Sequence, residues 1–125
     1  MASQIGRTRW AIPEGFLPER VHGLGRELES HEAACLLNAN DADAHVDLTI
    51  FFADRDPAGP YRITVPARRT LHLRFDDLRD PEPIARERDY ASVIESDVPI
   101  VVQHTRLDAR RAETALISTI AYAAE

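Results

Sequence analysis

HVDLTIFFAD, residues 45–54, alternates along its length. Val46, Leu48, Ile50 and Phe52 fall on one side, and His45, Asp47, Thr49 and Phe51 on the other. A period of two is the signature of a strand with one buried face. The next segments repeat it. DRDPAGP interrupts the chain with Pro57, Gly59 and Pro60, which block regular structure. YRITV then sets Tyr61, Ile63 and Val65 against Arg62 and Thr64. After the turn PARR, TLHLRF sets Leu71, Leu73 and Phe75 against Thr70, His72 and Arg74. The expectation is an antiparallel meander of three strands with one shared apolar face. Its other face collects Asp47, Thr49, Arg62, Thr64, His72 and Arg74, and meets either solvent or an oligomer neighbour.

Working outward, TRWAI and SHEAACLLN read as strands joined by PEGFLPERVHGLGRELE. That connection carries two Pro and three Gly and is long for a structureless loop, a class that is often functional. DDLRDPEPIARERD reads as irregular, and YASVIES as a short strand or turn. PIVVQHTRLD, residues 99–108, changes character halfway. Ile100, Val101 and Val102 suit a strand dry on both faces, whereas Gln103, His104, Thr105 and Arg106 put polar groups on both. ALISTIAYA is Ala-rich enough for a helix, but its Ile, Thr and Tyr content after a strand and a turn favours a return strand. Short apolar stretches punctuated by Pro, Gly and Asp are the rhythm of an all-β domain.

The 125 residues suit one domain, 1–125, large enough for its own core. No apolar run is long enough to span a membrane, and MASQIGRTRW lacks a signal core. The single Cys35 fits a reducing cytoplasm. Net charge is −6, with Arg as the only Lys/Arg-type cation. The acidic balance argues against general DNA binding, since phosphate contacts dominate such affinity. A local Arg patch around Arg68 and Arg69 still leaves DNA contact open.

Five blocks in one order carry a resemblance: IGRTRWAIPEGF, SHEAACLLNANDADAHVDLTIFF, GPYRITVPARRTLHLRF, YASVIESDVPIVVQHTRLD and ALISTIAYA. Together, from about Ile5 to Ala123, they resemble the sensory rhodopsin transducer family. RVHGLGRELE is the part that looks different. The resemblance implies an antiparallel β-sandwich, jelly-roll-like and similar to carbohydrate-binding modules, assembled as a homotetramer. It implies a cytoplasmic signalling adaptor without catalysis or cofactor, whose partner is the cytoplasmic face of a membrane sensory rhodopsin, and so a part in photosensing. It also makes a small-molecule, sugar-like ligand a family-level expectation and the alternative function.

Candidate binding residues follow from chemistry at strand ends and adjoining loops: Trp10, Glu14, His31, Glu32, Asn38, Gln103, His104 and Arg106. A sugar needs an aromatic face for its ring and planar polar groups for its hydroxyls. Trp10, the only Trp, is either that platform or a core residue. Glu32 and Arg106 suit a bidentate pair. The remaining polar residues are either ligand contacts or a structural network. His22, His31, His45, His72 and His104 form no H-x-H or H-x-x-x-H pair, so no metal is expected. Cys35, inside AACLL, is expected to be an inert buried thiol, and no G-x-S-x-G elbow marks a nucleophile.

Overall fold

The computed structural model describes residues 4–19, 29–110 and 115–124. The strands are β1 (Arg7–Phe16), β2 (His31–Asn38), β3 (Ala44–Phe52), β4 (Ala58–Val65), β5 (Arg69–Arg74), β6 (Asp89–Asp108), β7 (Ala115–Ile120) and β8 (Tyr122–Ala123). A short 3-10 turn at Phe75–Asp77 follows β5. All pairings are antiparallel, and the protein is an all-β sandwich. One layer runs β4-β3-β6-β1-β8. The other is built from β5, β2, β6 and β7, with β2 between β5 and β6 and β7 on the far side of β6.

β6 belongs to both layers. Kept straight, 20 residues would span about 65 Å at strand rise, well beyond the width of a domain this size. The strand therefore bends and changes layer. Its first half pairs with β3 and β1, with Leu48 and Trp10 both opposite Ile94. Its second half pairs with β2 and β7, with Cys35 and Ile120 both opposite Gln103. The corner lies between Ser96 and Val101, where the ladders to β3 and β2 end and begin. Pro99 sits there, where no ladder hydrogen bond is asked of its missing N–H, and its carbonyl accepts from Asn40 Nδ2 at 2.6 Å. Asp97 receives the His45 backbone N–H at 2.8 Å, which fixes the start of β3 to the corner. YASVIES is thus neither a separate short strand nor a turn: it is continuous with PIVVQHTR.

The expected meander is corrected at its third strand. β3 and β4 pair as read, with Val46 opposite Ile63. β5 instead crosses to the other layer and pairs with β2, Leu36 opposite Leu71. Alternation fixes which face of TLHLRF is apolar but not which strand lies beside it, and Leu71 and Leu73 still pack on the common core. His72 and Arg74 consequently leave the face shared by Asp47 and Arg62, whose ion pair at 4.0 Å remains. ALISTIAYA is extended, as β7 and β8.

The core fills the space between the layers. Val46, Leu48 and Ile50 from β3, Leu36 from β2, and Ile94, Ile100 and Val102 from β6 are all buried there. Each fully buried side chain of this kind contributes about 1.5–3 kcal/mol relative to exposure.

Candidate functional site

Strand register assembles the site. On the inner side of the second layer, Glu32 lies opposite Arg106, which lies opposite Ile117; one step along, Ala34, His104 and Thr119 form the next row. The Glu32 carboxylate has no solvent exposure, so it needs donors from the protein. It has three. His104 Nε2 lies 2.5 Å from Oε1, which puts the imidazole hydrogen on Nε2. Arg106 Nη2 donates to Oε2 at 3.2 Å, and the Phe16 backbone N–H donates to the same oxygen. The third contact ties β1 across the sandwich to β2.

Over this network opens a cleft of about 250 Å³ between the layers, lined by Pro13, Glu14, His104, Arg106, Ile117 and Thr119. Pro13 and Glu14 lie in a register irregularity of β1 between Ile12 and Gly15. A bulge there re-aims side chains that a regular strand would keep in its ladder. One side of the cleft is apolar, from Pro13 and Ile117. The other offers a carboxylate, a guanidinium, an imidazole and a hydroxyl. Arg106 Nε is shielded from solvent and has no hydrogen-bond partner among the described residues. The buried Tyr90 hydroxyl is likewise without one. Burial, reinforced by the nearby Glu32 carboxylate, pushes Tyr90 ionisation well above its usual range, so it remains a hydroxyl at neutral pH. A second hollow of about 350 Å³ lies across the bulge, against Phe51, Phe52, Asp89 and Ala91; it holds only Glu14 of the predicted set.

Four predicted residues therefore come together: Glu14, His104 and Arg106 at the cleft, with Glu32 beneath. The other four lie elsewhere. Trp10 is 5% exposed and part of the core, with its indole N–H donating to the Arg7 and Ile100 carbonyls. Its ring face is packed inside rather than presented to a ligand. Asn38 is buried and donates to the Ala42 and Val65 carbonyls at 2.9 and 3.0 Å, bracing the β2–β3 turn. His31 lies 2.7 Å through Nδ1 from the Glu29 carbonyl and edge-on to His72. Gln103 points away from the cleft. Pro13, Ile117 and Thr119 were not foreseen. Period two in ALISTIAYA puts Ile117 and Thr119 on one face, but only the pairing of β7 with β6 places that face at the cleft.

The outer side of the second layer has a different character. Leu37, Ile120 and Leu116 are exposed there, by 41%, 60% and 67%, in register rows with Val101, Gln103, Thr105 and Ser118. The rows through Leu37 and through Cys35 carry no carboxylate or guanidinium, whereas Arg74 lies opposite Ala33 in the row of Thr105 and Ser118, buried and paired with Asp76 at 2.7 Å. Cys35 belongs to this side. It is half-buried rather than buried, and its Sγ lies 3.2 Å from His72 Nδ1. Among the described residues, no three His, Cys, Asp or Glu converge as a metal site, and no helix is long and apolar enough to cross a membrane.

The chain is an antiparallel β-sandwich with a polar cleft between its layers. The family model described as Anabaena sensory rhodopsin transducer matches residues 5–123, and the chain belongs to the sensory rhodopsin transducer family. Among solved structures, it is similar to the Anabaena sensory rhodopsin transducer, with 58% identity and a TM-score of 0.75 over 82% of this chain and all of that one. It is also similar to the Thermotoga maritima 1070 crystal structure, with 32% identity and a TM-score of 0.85 over 96% of this chain and 97% of that one. No curated protein matches the chain. The divergent RVHGLGRELE lies outside the described residues apart from Glu29.

Proposed function

We propose that the protein is a soluble cytoplasmic signal-transduction adaptor that acts by reversible protein binding rather than catalysis. It assembles as a homotetramer through the outer face of the second layer, and its signalling partner is the cytoplasmic face of a membrane sensory rhodopsin. The observation that carries this reading is the apolar set Leu37, Val101, Ile120 and Leu116, spread over neighbouring rows of that face, three of them well exposed in the single chain. Exposed apolar surface in a chain of net charge −6 is favourable to cover, and these apolar side chains add no local repulsion to that of the net charges. Family membership supports the receptor. Signalling requires different affinities for two receptor states. Binding to a sensory rhodopsin in lipid nanodiscs, measured in darkness and under illumination, is expected to differ between the two; equal affinity in both overturns the signalling role.

The cleft supports a second activity: binding a sugar-like small molecule. Its observation is that Glu14, His104, Arg106 and Thr119 line one cleft whose other wall is apolar. DNA contact has no comparable support. Arg68 is paired with Asp41 at 3.2 Å and Arg110 with Asp108 at 2.7 Å.

A further inference from the structure

We propose that β7 couples the inter-sheet cleft to the self-association face, so that a neutral polyhydroxyl ligand in the cleft strengthens assembly and assembly strengthens ligand binding. This rests on both parts of the function proposed above.

β7 is a single wall with two sides. Ile117 and Thr119 line the cleft, while Leu116, Ser118 and Ile120 point outward in rows with Leu107, Thr105 and Gln103. All six residues of β7 are exposed, and among the described residues its only ladder is to β6. A strand held along one edge with both faces uncovered has little local stability of its own. Its far end is fixed, because Ala121 is buried and its N–H donates to the Val102 carbonyl at 3.1 Å. The strand between is the part whose position a ligand or a second copy can hold. Whatever orders it from one side raises the population competent to bind on the other, and linkage makes the two effects equal in size.

The charge of the cleft sets the ligand class. Glu32 is balanced by Arg106, which leaves the Glu14 carboxylate as the unbalanced charge at the cleft wall. An anion would meet that carboxylate. A neutral polyol instead donates to Glu14, gives an oxygen to the exposed part of the Arg106 guanidinium, exchanges a hydrogen bond with Thr119, and lays C–H groups on Ile117 and Pro13.

The test uses the full chain with D-glucose, D-galactose and myo-inositol as probes. Sedimentation follows assembly, and calorimetry or ligand-observed NMR follows binding. Leu116→Ala, a mild outward truncation, brings dissociation into a measurable range. A binding probe is expected to tighten assembly about fivefold or more. Its own affinity should weaken in Ile120→Asp, which assembles less. Thr119→Ala should abolish the probe effect and leave probe-free assembly intact. A probe that binds without moving assembly overturns the coupling and leaves the cleft as a ligand site. Failure of every probe at tens of millimolar overturns the cleft reading together with the coupling. A wild-type chain that stays monomeric overturns the assembly reading, and the coupling with it.

Discussion

At the scale of single residues, Glu32 decides the site. It has no solvent exposure and accepts from His104, Arg106 and Phe16. Replacing it by Gln removes the charge that balances Arg106 and turns one acceptor into a donor facing other donors. Losing one partner of a buried pair costs about 3 kcal/mol; the solvent contact of Arg106, 36% exposed at its side chain, puts the expectation for Glu32→Gln at the lower side of that figure. Urea unfolding of the variant against wild type measures it, and unchanged stability would remove the network from any structural role. The Glu32–Arg106 pairing was legible in the sequence because both are planar, charged and set at strand ends, but it is a single contact through Nη2 rather than the bidentate pair expected, since the His104 imidazole and the Phe16 N–H share the carboxylate. Trp10 was legible only as two alternatives. One indole ring serves a core or a sugar equally well, and the choice depends on whether its N–H finds a backbone acceptor inside, which it does at Ile100. His31, Asn38 and Gln103 shared the chemistry of the site but not its location, since residue type does not report the direction of a strand's face.

Among the elements, β1 carries a close approach that constrains its sequence. A Cβ at Gly15 would lie 2.4 Å from a Tyr90 ring atom, and that ring is backed by Phe75 at a centroid distance of 5.4 Å. Gly15→Ala therefore forces the ring or the bulge to move, at a cost of about 1–3 kcal/mol. Because Pro13 and Glu14 precede this point, the variant is expected to weaken cleft ligands as well as lower the melting temperature. A variant as stable as wild type would show that β1 can draw back freely. Strand existence was readable from period two in HVDLTIFFAD, YRITV and TLHLRF. Strand neighbours were not. β5 has the pattern of a meander strand yet pairs with β2, because alternation records burial and carries no address for its partner. PIVVQHTRLD posed the same problem in reverse. Ile100 and Val102 face the core, while Val101 lies half-covered on the outer face. The polar tail that follows is where β6 runs past the core, with His104 and Arg106 toward the cleft and Gln103 and Thr105 outward.

For the whole molecule, charge and surface act against each other. Each chain carries a net charge of −6, yet the outer face of the second layer exposes Leu37, Ile120 and Leu116, and its Arg74 is buried in an ion pair with Asp76. Copies that meet through that face gain apolar burial and suffer only the diffuse repulsion of their net charges, which salt screens over about 10 Å at moderate ionic strength. Self-association is therefore expected to tighten as salt rises, as read by sedimentation equilibrium in low and high sodium chloride. Weakening with salt would mean that ion pairs, rather than apolar contact, join the copies.

The double membership of β6 also sets an order of events on the ribosome. Once residue 74 has left the ribosome, β3 and β4 can meet, and so can β2 and β5, but neither layer has the strand that joins those pairs to the rest. β1 has none of its eventual neighbours at that stage, since both β6 and β8 come later in the chain. Until β6 emerges, the nascent protein is two strand pairs and a loose end, with apolar faces that have nothing to close against. The strand that joins the layers is therefore among the last parts of the chain to be made, and until it emerges the earlier apolar faces stay open to other contacts.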